Sequence, residues 1–305
     1  MSKPLEQPLW LLQAGSIAMA VGLLHLLPLR AALVLVGGVF ALGGAYTSKA
    51  KKVRGSLAVA FPDRSPAQHA ALLSSSFHYL GEALVELVHL GKIWRSHAHR
   101  IEFVLAEGAR APVAGQPAVI VSAHVGAWEM IPLIARYYGI TMPIVYAPAK
   151  NPYIDRVLTR LRRANGCPLV TSQGAVRMLV RALKRGQCVG SVLDLRLDAG
   201  EPLPFFDEPA WTNTVPARLS LRHNCDLVPV KSERLPGARY RVTILPPIKA
   251  RDAQAEAAEQ ARDMTRQVNQ LFEEWIIESP GQWYCLKRRW PKATERNYRQ
   301  RMGRS

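Results

Sequence analysis

The sequence predicts an α/β fold in which a mostly parallel central sheet is flanked by helices, preceded by an N-terminal membrane-anchoring helix. From residue 119 to residue 278, short apolar runs typical of buried strands alternate with stretches whose apolar residues recur at the helical period. Such alternation is typical of a parallel sheet covered by helices. The chain has 305 residues, which fits one large α/β domain with an extra segment better than two equal domains.

The predicted elements follow one another in a regular order. Ser65 has the character of an N-cap with Pro66 at the first helical position, and apolar residues at helical spacing extend that helix to about Val88. Strands are expected at residues 119–121, 143–146, 168–171, 188–193, 227–230 and 239–245. Helices are expected at residues 130–138, 151–163, 175–184, 215–222 and 253–278.

Residues 1–48 are predicted to form a membrane anchor. The stretch at about 9–27 is apolar apart from one amide, one hydroxyl and one imidazole, and its length is close to that of a transmembrane helix. A second apolar segment at 31–46 fits either another span or a helix lying in the membrane, and the sequence leaves both open. A cleaved signal peptide is the competing interpretation, but no clear small-residue cleavage site precedes polar sequence.

The charge of the chain indicates anionic partners. The formal net charge is +17 and the sequence pI is about 10.2. Basic residues cluster directly after the anchor and again in the C-terminal tail: Lys49, Lys51, Lys52 and Arg54, then Lys287, Arg288, Arg289, Lys292, Arg296, Arg299, Arg301 and Arg304. The first cluster predicts that residues 49–305 form a domain facing the cytosol. An anionic membrane and phosphorylated or acidic partners fit this charge, whereas aromatic residues among the basic ones are too few for nucleic acid.

The sequence lacks the signals of two kinds of site, a cysteine metal centre and a serine nucleophile. Cys167, Cys188, Cys225 and Cys285 are far apart and have no metal-ligand spacing. We therefore expect reduced thiols and no metal. A Gly-x-Ser-x-Gly elbow is absent from the sequence as well, which argues against a serine acyl-enzyme.

The most informative residues are His124 and Glu129. An apolar run ending at Val121 precedes them, and a predicted helix follows, so they lie at a strand-to-helix turn where open α/β sheets bind ligands. A histidine there can take a proton from a hydroxyl, and a carboxylate can fix its tautomer, which suits acyl transfer to an alcohol. The alternative is that the two side chains form only a structural, hydrogen-bonded polar pair at a strand end.

Further polar and aromatic residues lie at neighbouring strand ends. Asp194 closes a predicted buried strand, and Asn151 precedes a helix whose arginines, Arg162 among them, border its apolar face. Those arginines fit either a solvated basic face or a clamp for phosphate or an oxyanion. The loop containing Phe206, together with Trp128, is a candidate wall for an apolar pocket.

These residues occur in an order that resembles the late acyltransferases of lipid A biosynthesis, the lauroyl and myristoyl transferases within the glycerolipid acyltransferase-like superfamily. The resemblance runs from the apolar N-terminus through Phe61-Pro62, His124-x4-Glu129, Tyr146-x4-Asn151-Pro152, Asp194 and Phe205-Phe206 to the tail that begins Gln282-Trp-Tyr. It covers nearly the whole chain, and it implies a glycerolipid acyltransferase-like fold.

The resemblance also implies roles for individual residues. His124 and Glu129 match the catalytic motif, so His124 is expected to deprotonate the acceptor hydroxyl and Glu129 to orient His124. Arg162 matches the arginine on the helix after the Asn-Pro element, and Asp194 matches the acid before the Phe-Phe loop. We expect Arg162, Asp194, Asn151, Trp128 and Phe206 to bind substrate.

The implied function is transfer of a fatty acyl chain from a thioester to a hydroxyl of a lipid A precursor at the cytoplasmic face of the bacterial inner membrane. No cofactor is expected beyond the donor, which is an acyl carrier protein thioester or an acyl-coenzyme A. Other acceptors stay open, such as a phosphatidylinositol mannoside or an ornithine-type aminolipid. More distant alternatives are a lipid hydrolase and a non-enzymatic basic membrane protein.

Overall fold

The computed structural model describes the backbone of residues 6–302 and the side chains of residues 7–300. Arg304 of the predicted basic tail lies outside the described residues, as does the side chain of Arg301. The helices are α1 Glu6–Leu26, α2 Leu29–Gly44, α3 Ala50–Ala60, α4 Pro66–Arg95, α5 His97–Arg100, α6 Leu133–Tyr137, α7 Pro152–Arg162, α8 Ala175–Lys184, α9 Val215–Arg222, α10 Ala257–Glu278 and α11 Lys292–Met302. The strands are β1 Ile101–Leu105, β2 Ala118–Ser122, β3 Ile144–Tyr146, β4 Leu169–Thr171, β5 Val189–Val192, β6 Glu201–Phe205, β7 Glu208–Thr212, β8 Asp226–Leu235 and β9 Arg239–Ile244.

The predicted fold class is confirmed. The main sheet has the order β1-β9-β8-β2-β5-β3-β4, and within it only the pair β8–β9 is antiparallel. Strands β2 and β5 lie near its centre, and their residues are largely apolar and buried, as expected of parallel strands covered by helices. The strand order reverses direction around β2, which is where open α/β sheets bind ligands.

Some observed elements differ from the predicted ones in length or in type. Residues 130–138, predicted as one helix, form a 3-10 turn at Trp128–Met130 and then the short helix α6, because Pro132 interrupts the backbone hydrogen bonding. The hairpin β6–β7 lies where the sequence predicts a loop. Its two connecting residues, Phe206 and Asp207, both have positive φ although neither is a glycine, so the usual hairpin signal was absent.

Helix α4 begins as predicted, with a capping box in which Ser65 and Gln68 exchange hydrogen bonds. It continues past the predicted end at Val88 to Arg95. Helix α2 packs lengthwise on α4, and at Gly81 the helices come so close that a Cβ atom would lie 2.7 Å from the carbonyl oxygen of Val36. The second apolar segment therefore contacts the predicted catalytic domain directly.

Helix α1 covers the predicted transmembrane stretch. Within the described residues it is the one helix whose length and apolar composition, from Gln7 to Leu26, would let it cross a membrane. Its leucines are mostly exposed, Leu9 and Leu12 among them. The division at residue 48 into an anchor and a cytosolic domain stays a prediction.

Candidate active site

Two adjacent parallel strands bring His124 and Asp194 together. In the register of β2 and β5, Ser122 pairs with Val192, so the residues two positions further along each strand leave the sheet side by side. His124 Nδ1 lies 2.8 Å from Asp194 Oδ1. The Asp194 side chain is fully buried, whereas the His124 side chain keeps 16% exposure. The carboxylate therefore supports the imidazole from inside the protein and leaves the ring accessible.

The surroundings of Asp194 keep it ionised. Burial acts to raise its pKa, but the charge attraction and hydrogen bonds of His124, with a hydrogen bond from Trp283, outweigh this and hold the pKa below its ordinary value. An ionised Asp194 accepts the Nδ1 proton of His124 and so favours the tautomer in which Nε2 can accept a proton. The hydrogen position follows from this network.

Glu129 has a different partner from the one expected. The sequence interpretation gave it the task of orienting His124, but Arg162 Nη2 lies 2.7 Å from Glu129 Oε1, and Arg162 Nε lies 3.4 Å from Oε2. Burial acts to lower the pKa of Arg162, but the Glu129 carboxylate reverses this and raises it. In this structure Asp194 contacts the imidazole, and Glu129 fixes the guanidinium.

The turn between His124 and Glu129 explains why the two side chains have different partners. Gly126 has a φ of +63°, and a Cβ atom there would lie 1.9 Å from the carbonyl oxygen of Ser232. Ser232 in turn donates a hydrogen bond from its hydroxyl to the carbonyl oxygen of Ala127 at 2.8 Å. The turn is therefore fixed against β8, and its sharp course directs Glu129 towards α7 and Arg162.

His124 and the Glu129–Arg162 pair border a cavity of about 320 Å³ on one face of the sheet. Residues of the central strands β2, β3 and β5 line it. Its apolar walls include Ile120, Ile131, Pro132, Met142, Ile144 and Val192. Its polar groups include Ser122, Tyr146, Tyr284 and Lys287. A long apolar group and a reactive polar group can therefore occupy the same space.

The structure brings some predicted site residues to the cavity and places others elsewhere. Trp128 lines it, and its ring centroid lies 5.6 Å from that of His124. Asn151 is absent from the lining: its side chain caps α7 and donates to the carbonyl oxygen of Trp10 in α1 at 3.0 Å. Phe206 packs between Phe61 and other aromatic rings of the core.

Sequence reasoning assigned no site role to Trp283 or Tyr284. Trp283 Nε1 donates to Asp194 Oδ2 at 3.2 Å. The backbone N–H of Tyr284 donates to the carbonyl oxygen of His124 at 2.8 Å. Burial raises the pKa of Tyr284, so its phenol remains protonated. The two residues are far from His124 along the chain, so no spacing pattern predicts their contact with the site. The one signal in the sequence is that they belong to the tail segment through which the chain resembles the acyltransferase family.

The sequence is similar to those of known proteins over most of its length. The family model described as bacterial lipid A biosynthesis acyltransferase matches residues 7–292. The lipid A biosynthesis palmitoleoyltransferase of Escherichia coli (strain K12) is 27% identical over 251 residues, which cover 77% of this chain and 76% of that protein. The lipid A biosynthesis acyltransferase of Shigella flexneri aligns with the same identity and coverage.

A solved structure was also found to be similar, the crystal structure of the 1-acyl-sn-glycerophosphate (LPA) acyltransferase PlsC from Thermotoga maritima. It has a TM-score of 0.35 and 15% sequence identity, and the match covers 74% of this chain and 94% of that chain. The family match extends over almost the whole chain and includes every residue of the site described above. The chain therefore belongs to the bacterial lipid A biosynthesis acyltransferases, and it is an acyltransferase.

Proposed function

We propose that this acyltransferase moves a fatty acyl chain from a thioester to a hydroxyl group of a lipid A precursor, in a late, secondary acylation. The observation that carries the proposal is the contact of His124 Nδ1 with the buried Asp194, beside a cavity with apolar walls. A histidine held in this way is a general base, and the apolar walls suit an acyl chain. The family match supports the acceptor class.

The reaction needs only the side chains already described. His124 Nε2 takes the proton of the acceptor hydroxyl while the hydroxyl oxygen attacks the thioester carbonyl carbon. The carbon–sulfur bond then breaks, and the imidazolium returns the proton to the leaving thiolate. Asp194 stabilises the imidazolium, so this arrangement replaces the His124/Glu129 dyad expected from the sequence. General base catalysis of this kind contributes about 10²–10⁴ in rate.

Glu129 and Arg162 have a supporting part in this proposal. Two nitrogens of the Arg162 guanidinium are engaged by Glu129, and the side chain also lines the cavity. The remaining N–H groups can therefore donate to the negatively charged oxygen that forms during attack, or to a substrate phosphate. Glu129 keeps the guanidinium fixed in one orientation, which is the condition for stabilising a transient charge.

We further propose that the enzyme is membrane-bound on the cytoplasmic face of the inner membrane. Helix α1 with its exposed leucines supplies the apolar contact, and Lys49 and Lys51 follow the apolar segments and are exposed. Basic residues at this position are typical of the cytoplasmic side. Each Lys or Arg near an anionic leaflet contributes about 1 kcal/mol to membrane binding.

The test is product analysis with the purified full chain in detergent. Acyl carrier protein thioesters and acyl-coenzyme A are offered separately, each with underacylated lipid A precursors and with a hydroxylated glycolipid or aminolipid. Mass spectrometry should show one added acyl chain on the lipid A precursor with one of the donors. Fatty acid released in equal amounts with and without acceptor would support the hydrolase alternative. Acylation of only the other lipids would contradict the proposed acceptor.

A further inference from the structure

The residues Gln282–Cys285 form a segment that closes over the ends of β2 and β5, and we call it the closing segment. Within it, Trp283 forms an isolated antiparallel bridge with Val125, and Tyr284 donates its backbone N–H to the carbonyl oxygen of His124 at 2.8 Å. The segment therefore holds the backbone directly after the His124 Cα atom, at the His124 carbonyl and at Val125. It belongs to the C-terminal part of the chain, beyond α10.

Trp283 completes the hydrogen bonding of the buried Asp194. The two carboxylate oxygens have different donors: Oδ1 lies 2.8 Å from His124 Nδ1, and Oδ2 lies 3.2 Å from Trp283 Nε1. Trp283 is itself only 1% exposed. An indole N–H can only donate, so it stabilises the ionised form of Asp194 and limits rotation of the carboxylate.

The closing segment is held in place by groups outside the site. Gln282 Oε1 accepts a hydrogen bond from Arg234 Nη1 at 3.1 Å, and the same arginine forms an ion pair with Glu86, which is fully buried. On the other side, the Trp283 ring packs against Phe205 and Phe206. Because the indole and its neighbour Phe205 are buried and Gln282 is held by Arg234, the position of the indole is fixed before any substrate binds.

Tyr284 supports the imidazole from the cavity side. Its ring centroid lies 5.5 Å from that of His124 and 5.1 Å from that of Trp128. The imidazole is thus bounded by two aromatic rings, while its Nδ1 edge is bound to Asp194. Rotation of His124 about its χ angles would require these rings to move.

We infer that the closing segment positions the general base, with Trp283 acting through Asp194 to fix the orientation and proton affinity of His124. This inference rests on the proposed function, because it assigns to the base of that reaction a positioning residue more than a hundred residues away. Trp283 touches no reacting atom and is therefore a positioning residue. Two indole groups with comparable environments allow a matched test.

The substitution Trp283→Phe keeps an aromatic ring and removes the N–H donor to Asp194. Without that donor the carboxylate charge acts more strongly on the imidazole, so the pH at which His124 loses its proton should rise. The matched control is Trp290→Phe, which removes an equally buried indole whose N–H donates to the carbonyl oxygen of Phe205 at 3.2 Å. Both variants lose one buried hydrogen bond, but only the first touches Asp194.

The primary measurement is an NMR pH titration of the ¹⁵N-labelled imidazole of His124 in detergent, with the signal assigned by its loss in His124→Gln. Trp283→Phe should move the titration midpoint upwards, and Trp290→Phe should leave it at the wild-type value. This readout does not depend on turnover, so it remains decisive if the wild-type protein fails the acyl-transfer test of the proposed function.

The second measurement compares kcat, KM and the acidic side of the pH–rate profile. Trp283→Phe should lower kcat about ten- to a hundredfold while KM changes little, and the acidic side of the profile should move to higher pH. Circular dichroism and thermal unfolding establish that both variants are folded. An unchanged imidazole titration in a folded Trp283→Phe protein would overturn the inference, as would an equal change in Trp290→Phe.

Discussion

Arg162 Nη2 lies 2.7 Å from Glu129 Oε1, and both side chains are largely removed from solvent. This contact engages the carboxylate of the His124-x4-Glu129 pair and leaves Asp194 as the acid that supports the imidazole. The site therefore contains two separate contacts with different tasks, the hydrogen bond between His124 and Asp194 and the ion pair between Arg162 and Glu129. One holds the base and the other holds a positive charge beside the cavity, and substitutions should distinguish them.

Replacing Asp194 with Asn should remove support for the imidazolium. We expect kcat to fall about 10²–10⁴-fold, because an amide in this position no longer fixes the tautomer or stabilises the charge that forms on His124. The acidic side of the pH–rate profile should move to lower pH, since a carboxylate favours the charged imidazole and its loss has the opposite effect. A variant with near-normal kcat would show that Asp194 has only a structural part.

Replacing Glu129 with Gln should act through Arg162. The amide keeps one acceptor oxygen but loses the charge, so the buried guanidinium is less well compensated and the free energy of unfolding should fall by about 1–3 kcal/mol. The rate should also fall, while the acidic side of the pH–rate profile stays in place. Denaturant unfolding and pH-dependent kinetics measure both effects.

A control for this variant is Glu102→Gln, which breaks the exposed ion pair between Glu102 and Arg241 on the edge of the sheet. Exposed pairs of this kind contribute about 0–1 kcal/mol, so little change in stability or rate is expected. If Glu129→Gln shifted the acidic side of the profile as Asp194→Asn does, Glu129 would be the acid coupled to His124 after all.

Substitution of Gly190 should change the preferred acyl chain. A Cβ atom at this position in β5 would lie 2.9 Å from Ile144 Cγ2 and 3.6 Å from Met142 Sδ, two atoms of cavity-lining residues. Gly190→Val should therefore reduce the cavity and disfavour the longest donors. Initial rates with a series of acyl thioesters test this, and the shortest donors serve as the internal control. A uniform loss for all chain lengths would argue against an acyl-chain site here.

The buried pair of Glu86 and Arg234 should make stability depend on pH. Burial raises the pKa of Glu86 to about 7, although Arg234 acts in the opposite direction. In the unfolded chain this carboxyl ionises near pH 4.3, so as pH rises to about 7 the unfolded state releases the proton first. The contribution of Glu86 to the free energy of unfolding is thus present at low pH and is lost as pH rises.

The comparison variant is Glu86→Gln, which cannot titrate. Relative to this variant, the wild-type protein should lose on the order of 3 kcal/mol of unfolding free energy between about pH 4 and pH 8. Urea unfolding at several pH values in detergent measures the difference. Parallel stability curves for the two proteins would show that Glu86 ionises in the folded state as it does in water.

Much of the fold followed from local patterns. Helix α8 was predicted with its observed ends, and β2 and β5 were recognised because short apolar runs end in polar residues at the switch point of the sheet. That pattern also identified His124 and Asp194 as site residues. Their contact follows from the β2–β5 register, which depends on strand pairing and is not expressed in spacing along the chain.

The parts that could not be predicted depend on long-range contacts. The partner of Glu129 is decided by the turn at Gly126, whose close approach to the carbonyl of Ser232 is a tertiary feature. Asn151 was expected to bind substrate, yet its amide contacts α1, because a good N-cap residue with free donors can serve two helices. Trp283 reaches Asp194 only because the chain returns across the sheet after α10.

The role of His124 as the general base of acyl transfer is tested most directly by the initial rate of the His124→Ala protein in membranes. The assay uses the donor and acceptor that the wild-type protein accepts, and circular dichroism verifies that the variant is folded. We predict a rate at least about 10²-fold below wild type, since the remaining groups can position substrates but cannot accept the hydroxyl proton. A folded His124→Ala protein with near-normal turnover would contradict this account.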